Sequence, residues 1–508
     1  MLNLRISRFF AILAVAIASH FSSFATHIVG LDLKYQHVSD STYKIKLIAF
    51  ADCGPLSATT FATLPSATPN VCVFVGSTLI TTLVLHIDSP STGVLVGNVC
   101  TTDTGGTQCS SASSRIPGIK KFVYEIDYTL PSSTSDYIFR FNGGMGIAAA
   151  TGRAAALTNI SGSSTTSCSI ALDASLGNNS SPDMIDITNY FYPLNFLNFY
   201  TPSAIDPDGD SLVYSLVDAQ SAGAGCGATS TVTYVGGCSG AYPLLASSYS
   251  FDAGSGQMVF VPNLTQRALI DYKISEYRHG SLIGTTFREM SALVYDTSLF
   301  NPSTPIGVLA NSTTGTITDP THISMFDTMG AFAVMIFPFE TDTTQNIKVT
   351  PVSLPTGATF VTINDSTPHP RCTFTWNTSY MHSGANIFYI NYKDDHCPIQ
   401  GNVTIGYVIR NLGHRPFYSA SVTETNRAEN DFSIVPNPAS CNFTVQFNNE
   451  AQDGILSIID CSGKLLMSRN VSGNMQSIQF NDLNLAPGTY FVRLTNNASS
   501  VVKLLQLN

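Results

Sequence analysis

The chain has 508 residues, enough for three or four domains, and 44% of them are hydrophobic. Only 11% are Asp, Glu, Lys or Arg, against about 25% in an ordinary soluble domain, which excludes a coiled coil, a charged disordered tail or a histone-like binder. With 24 basic against 34 acidic side chains and a net charge of −10, nucleic acid and anionic membrane are poor candidates for the main partner. Ser, Thr and Asn supply the missing polarity, and they suit sheet faces and turns better than helices.

In chain order, Arg5 and Arg8 precede a ten-residue apolar run, Phe9 to Ala18, and then a small-residue stretch from Ser19 to Ala25. This is the layout of a secretory signal peptide over residues 1–25, with Ser23-Phe24-Ala25 at the cleavage site. Ten apolar residues are too few to span a bilayer, which takes ~20, and no later stretch reads as transmembrane. The expected product is an exported chain, two charges more negative once the leader is gone.

Beyond the leader, strand patterning dominates. Tyr43, Ile45 and Leu47 alternate with lysines; Phe122, Tyr124, Ile126 and Tyr128 frame Glu125 and Asp127; Val403, Ile405, Tyr407 and Ile409 alternate in the same way. Period-2 alternation gives strands with one buried and one wet face. The predicted class is all-β: tandem immunoglobulin-like sandwich modules and a small sandwich at the end. The expected units are an N-terminal β domain at 26–180, sandwich modules at 181–298 and 299–412, a polar linker at 413–431 and a final unit at 432–508.

Eleven cysteines in an exported chain point to disulfides. Five lie before residue 170. The other six fall into neighbouring pairs, Cys226/Cys238, Cys372/Cys397 and Cys441/Cys461, which would close loops of about 12, 25 and 20 residues. No zinc spacing occurs, and partners among Cys53, Cys72, Cys100, Cys109 and Cys168 stay open.

Three clusters concentrate chemistry. Asp206, Asp208 and Asp210 in Asp-Pro-Asp-Gly-Asp place three carboxylates at alternate positions, an arrangement suited to calcium; the same residues also suit a turn that caps backbone amides. Tyr272 to Val294 reads as a hairpin with His279-Gly280 at its tip and with Glu276, Arg278, Arg288 and Glu289 placed for cross-strand charge pairs. Lys393 to Pro398 gathers two carboxylates, His396 and Cys397. The aromatic stretch Tyr190 to Tyr200 fits a sugar-stacking platform or a packed strand. No nucleophile elbow, zinc-protease helix or phosphate loop is present.

The last segment is the most specific. Pro436-Asn437-Pro438, the strand ending at Asp460 with Ser462-Gly463-Lys464 after it, Leu485-Ala486-Pro487-Gly488-Thr489-Tyr490-Phe491-Val492 and the closing strand with Lys503 resemble the type A sorting domain of the type IX secretion system of Bacteroidota. Cys441 and Cys461 depart from that pattern, and the final positions are less basic than in many relatives. The resemblance implies recognition at the outer membrane through residues 432–508 and export to the surface or medium. The segments Thr26 to Gly30, Asp206 to Leu216, Glu276 to Gly280 and Tyr392 to Pro398 are similar to gliding-motility-associated and polycystic-kidney-disease-like surface proteins. That likeness implies no catalytic residue.

The expected function is a structural or adhesive surface protein that binds extracellular polymer or cells. The alternative is an extracellular hydrolase or a carbohydrate-binding protein. Apart from calcium at Asp206, Asp208 and Asp210, no cofactor is expected.

Overall fold

Alternation at Leu31, Leu33 and Tyr35, and again at Ile45 and Leu47, builds two adjacent strands whose buried positions share one face. In the computed structural model the described residues are 28–414 and 432–508, apart from 55–61, 89–91, 101–105, 112, 115, 134–135, 147–151, 154–156, 163, 186–189, 297–303, 383, 441, 449–452, 462, 482 and 497–499. Regular structure among them is strand almost throughout. The expected leader and most of the expected linker lie outside the described residues. The chain divides into two units, 1–303 with 395–402, and 304–394 with 403–508.

The first unit is organised by one large sheet. Ile28–Ser39 pairs with Thr42–Asp52 on one side and with Ser281–Tyr295 on the other. Ser281–Tyr295 in turn pairs with Gln266–Arg278 and touches Thr166–Leu172. One face carries Leu31, Leu33, Ile45, Leu47 and Tyr124, packed with Val71, Val73, Phe139 and Ile170. The other carries Phe50, Ile270, Tyr272 and Met290, packed with Tyr190, Tyr192, Met258 and Phe260. Each such side chain contributes about 1.5–3 kcal/mol when removed from water.

This pairing corrects the boundary expected near residue 180. Gly30 lies opposite Met290 and Leu33 opposite Phe287, so 26–180 and 181–298 are parts of one body. Local periodicity cannot reveal a partner some 250 residues away.

The disulfides require a second correction. They join Cys53 to Cys109, Cys72 to Cys226 and Cys100 to Cys397, at separations of 56, 154 and 297 residues. The expected pairs Cys226/Cys238 and Cys372/Cys397 do not form: Cys238 and Cys372 are free thiols. Cys461 is also free, and its expected partner Cys441 lies outside the described residues. Loop-closure entropy rises only logarithmically with loop length, so nearness in sequence is a weak guide to pairing. Cys372 is buried within its sheet, and that burial pushes its thiol up to about 11.

The Cys100–Cys397 bond and the backbone pairing of Val99 with Ile399 place residues 395–402 in the first unit, although the flanking strands belong to the second. In the second unit, the strands between 306 and 394 and the one that follows residue 402 form two facing sheets. Ile306–Ser312, Ala331–Phe339, Arg371–Asn377 and Thr359–Ile363 make one; Thr316–Asp319, His322–Met325, Asn402–Asn411, Gly384–Lys393 and Lys348–Ser353 make the other. Phe374 stacks on Phe388 at 4.1 Å and Phe388 on Tyr407 at 5.0 Å, so aromatic rings fill the space between the sheets.

Residues 432–508 form a smaller sandwich of three and four strands. Its core holds Phe432, Phe443, Val445, Leu456, Ile458, Val492, Leu494 and Leu505, with Phe443 and Phe480 stacked at 4.9 Å.

Candidate functional site

The charges expected to pair across the Tyr272–Val294 hairpin do not pair within it. The turn itself forms, with His279 at φ 50° and Gly280 at φ 83°; a glycine meets that left-handed requirement without cost. Arg288 instead reaches the Ile28–Ser39 strand and grips Asp32 with two hydrogen bonds of 2.7 and 2.6 Å. It also donates to the Ile185 carbonyl and the Tyr200 hydroxyl. Both members of the pair are buried. On the neighbouring position, Glu289 takes two hydrogen bonds from Arg153, at 2.9 and 2.6 Å.

Directly across the hairpin from Glu289 stands Asp271. It is fully buried, and neither carboxyl oxygen has a hydrogen-bond partner among the described residues. Burial and then the nearby Glu289 charge push its carboxyl well above the usual range, so it holds its proton. Arg153, Asp32 and Asp271 carry no sequence motif and were not legible as a network.

The third cluster contains the predicted calcium residues. One oxygen of Asp206 accepts from the backbone amides of Asp208 and Asp210, both at 2.9 Å. Asp208 accepts from the Ser180 amide at 2.6 Å. Asp210 is held by Arg278 at 2.9 and 2.7 Å. Arg278 also donates to the Asn178 carbonyl and the Asn179 side chain. Asn179 donates in turn to Glu276 and to the Tyr35 hydroxyl. One oxygen of Asp206, one of Asp208 and both of Asp210 thus face protein donors. Among the described residues the second Asp206 oxygen is buried without a hydrogen-bond partner, and no group of three His, Cys, Asp or Glu is placed to hold a metal. Chelating divalent cations is therefore expected to leave the melting temperature of the purified chain unchanged. A lowered melting temperature would instead place an ion on Asp208 and the second oxygen of Asp206.

The aromatic stretch is a packing element rather than a platform: Tyr190, Phe191, Tyr192 and Tyr200 are all buried. In the Lys393 to Pro398 cluster, Cys397 is consumed by its disulfide and Asp394 is buried.

In the 432–508 sandwich the residues of the sequence motifs serve as internal braces. The Asn437 amide donates to the Leu504 carbonyl at 2.6 Å and accepts from the Gln506 amide at 2.9 Å. It thereby caps the open edge of Ser500–Leu507, which would otherwise invite strand addition. Tyr490 donates its hydroxyl to the Ala486 carbonyl at 2.6 Å, pinning the Ala-Pro-Gly turn. Asp460 accepts from the Lys464 amide across a turn in which Gly463 has φ 82°.

Residues 433–508 match the family described as secretion system C-terminal sorting domain. The chain therefore carries a type IX sorting tail, which directs export to the cell surface or extracellular space. No helix among the described residues is long and apolar enough to cross a membrane. No curated protein matches the sequence. Among solved structures, a biofilm associated protein (BSP domain) is 9% identical over 95% of this chain and 96% of its own, with a TM-score of 0.16. SGBP-B of the Bacteroides ovatus mixed-linkage glucan utilization locus, in complex with a mixed-linkage heptasaccharide, is 11% identical over 65% of this chain and 71% of its own, with a TM-score of 0.13. An endo-fucoidan hydrolase of glycoside hydrolase family 107 is 13% identical over 65% and 44%, with a TM-score of 0.16. At such scores these likenesses carry no argument about function.

Proposed function

We propose that the chain is a surface protein of structural or adhesive role, delivered by the type IX machinery and displayed to bind extracellular polymer or neighbouring cells. The sorting domain at 433–508 is the observation that carries this reading. Support also comes from how the larger unit spends its charged groups: Asp32, Glu289 and Asp210 are each engaged bidentately by an arginine, which suits a scaffold better than a reacting centre. The three disulfides among the described residues suit a chain that works outside the cell.

Deleting residues 432–508 is expected to stop the remainder from reaching the surface or medium and to trap it in the periplasm. Its appearance outside at the level of the full chain would overturn the export reading. For the adhesive part, the purified full chain is expected to be retained by extracellular polysaccharide or by cells without degrading them. Release of cleaved polymer would favour a hydrolase instead.

A further inference from the structure

We propose that the outward face of the four-stranded sheet in the 432–508 sandwich is the surface on which the secretion machinery docks. Its centre is the row Leu465, Ile459, Phe491 and Leu504, and the partner offered to it is an apolar protein patch carrying a carboxylate for Arg493. The inference rests on reading 433–508 as the sorting signal.

The register builds this row. Ile459 is paired with Leu465 on one side and with Phe491 on the other, and Phe491 is paired with Leu504. Residues paired across an antiparallel sheet point to the same face, so four apolar side chains cross all four strands in a line about 14 Å long. Leu465 is 55% exposed and Leu504 48% exposed at the two ends; Ile459 and Phe491 are half-buried between them. The opposite face, with Leu456, Ile458, Val492, Leu494 and Leu505, is the buried core. Ile455, 49% exposed, is a further outward apolar side chain four residues back along the same strand as Ile459, beyond the row that holds Ser457 and Arg493. A contiguous apolar face of this kind on an exported module marks an interaction site.

Two observations fix the kind of partner. Three motif residues are engaged within the module, Asn437 on the strand edge, Tyr490 on Ala486 and Asp460 on its own turn, whereas Phe491 of the same motif faces outward. The outward rows remain for a partner to read. Their charge is one-sided. Ser457, paired with Ser468, lies opposite Arg493, which lies opposite Val502; the next row is Asn470, Ile455, Thr495 and Ser500. Arg493 is exposed, and none of these rows contains a carboxylate. A second copy set face to face would bring another arginine and no carboxylate to pair with either. A different protein must supply the carboxylate.

The test is an export assay with the full chain in a host that has the type IX system. The double variant Leu465→Ser/Leu504→Ser and, separately, Arg493→Glu are expected to cut surface or medium delivery by about tenfold or more. The purified variants should keep the parent's melting profile. Val361→Ser/Ile363→Ser, at positions 57% and 58% exposed in the other sandwich of the unit, is the control and should export normally. Wild-type delivery of the double variant and of Arg493→Glu, while the 432–508 deletion is blocked, would overturn the docking surface and leave the sorting reading intact. Export of the deletion itself would instead overturn the reading beneath it. A concentration-dependent dimer that the double variant abolishes, with export unchanged, would assign the face to a second copy and also overturn the proposal.

Discussion

Replacing Arg288 by alanine is expected to destabilise the first unit by about 3–5 kcal/mol, the scale for removing one partner of a buried ion pair. The side chain is almost completely shielded from water and makes four hydrogen bonds, two to Asp32, one to the Ile185 carbonyl and one to the Tyr200 hydroxyl. Its loss strands the Asp32 carboxylate between two buried strands, and it opens a void against Tyr200 and Tyr272, whose rings lie 5.5 Å apart. Urea unfolding of the purified full chain, followed through the transition of this unit, measures the effect. The double variant Asp32→Leu/Arg288→Met is expected to be more stable than Arg288→Ala, because no unpaired charge is left behind. A single-variant loss below about 1 kcal/mol would show that water reaches the pair and screens it, as at surface pairs.

What the sequence made legible follows from the range of the forces involved. Strand identity depends on neighbours two residues apart, so the alternations at Tyr43 to Leu47 and Val403 to Ile409 correspond to the strands Thr42–Asp52 and Asn402–Asn411. The His279-Gly280 turn is equally local, since its backbone demands a residue that tolerates positive φ. The motifs of the last module are legible for the same reason: each of Asn437, Asp460 and Tyr490 braces a turn or strand edge of its own small sandwich. The rest was set by contacts between distant segments. Asp32 meets Arg288 across 256 positions and Arg153 meets Glu289 across 136. Cys100 meets Cys397 across 297. Nothing in the local pattern at Asp32 or Arg153 distinguishes it from a solvent-facing charge in an alternating strand. Grouping cysteines by proximity failed for the same reason.

Raising the pH from about 5 to 8 is expected to weaken the first unit, and Glu276→Gln is expected to remove much of that dependence. Glu276 is fully shielded, set among Asn179, Thr286 and the Tyr35 hydroxyl, with Asp206 and Asp210 close by. Burial pushes its carboxyl up to about 8, and the neighbouring Asp206 and Asp210 charges add to the rise. In the unfolded chain the same group titrates near 4.5. Between those two values the folded chain carries the extra proton, so stability is highest below the unfolded value and falls by up to about 1.4 kcal/mol per pH unit until the folded group ionises. Asp206, pushed up to about 6 by burial, and Asp271 contribute in the same direction. This sign is opposite to that of a salt-bridged carboxylate, whose stabilisation is lost on acidification. Melting temperatures of the parent and of Glu276→Gln across this range decide the matter. Parallel curves would mean that Glu276 is ionised in the folded chain throughout, with Asn179 and Thr286 donating to a carboxylate rather than to a neutral acid.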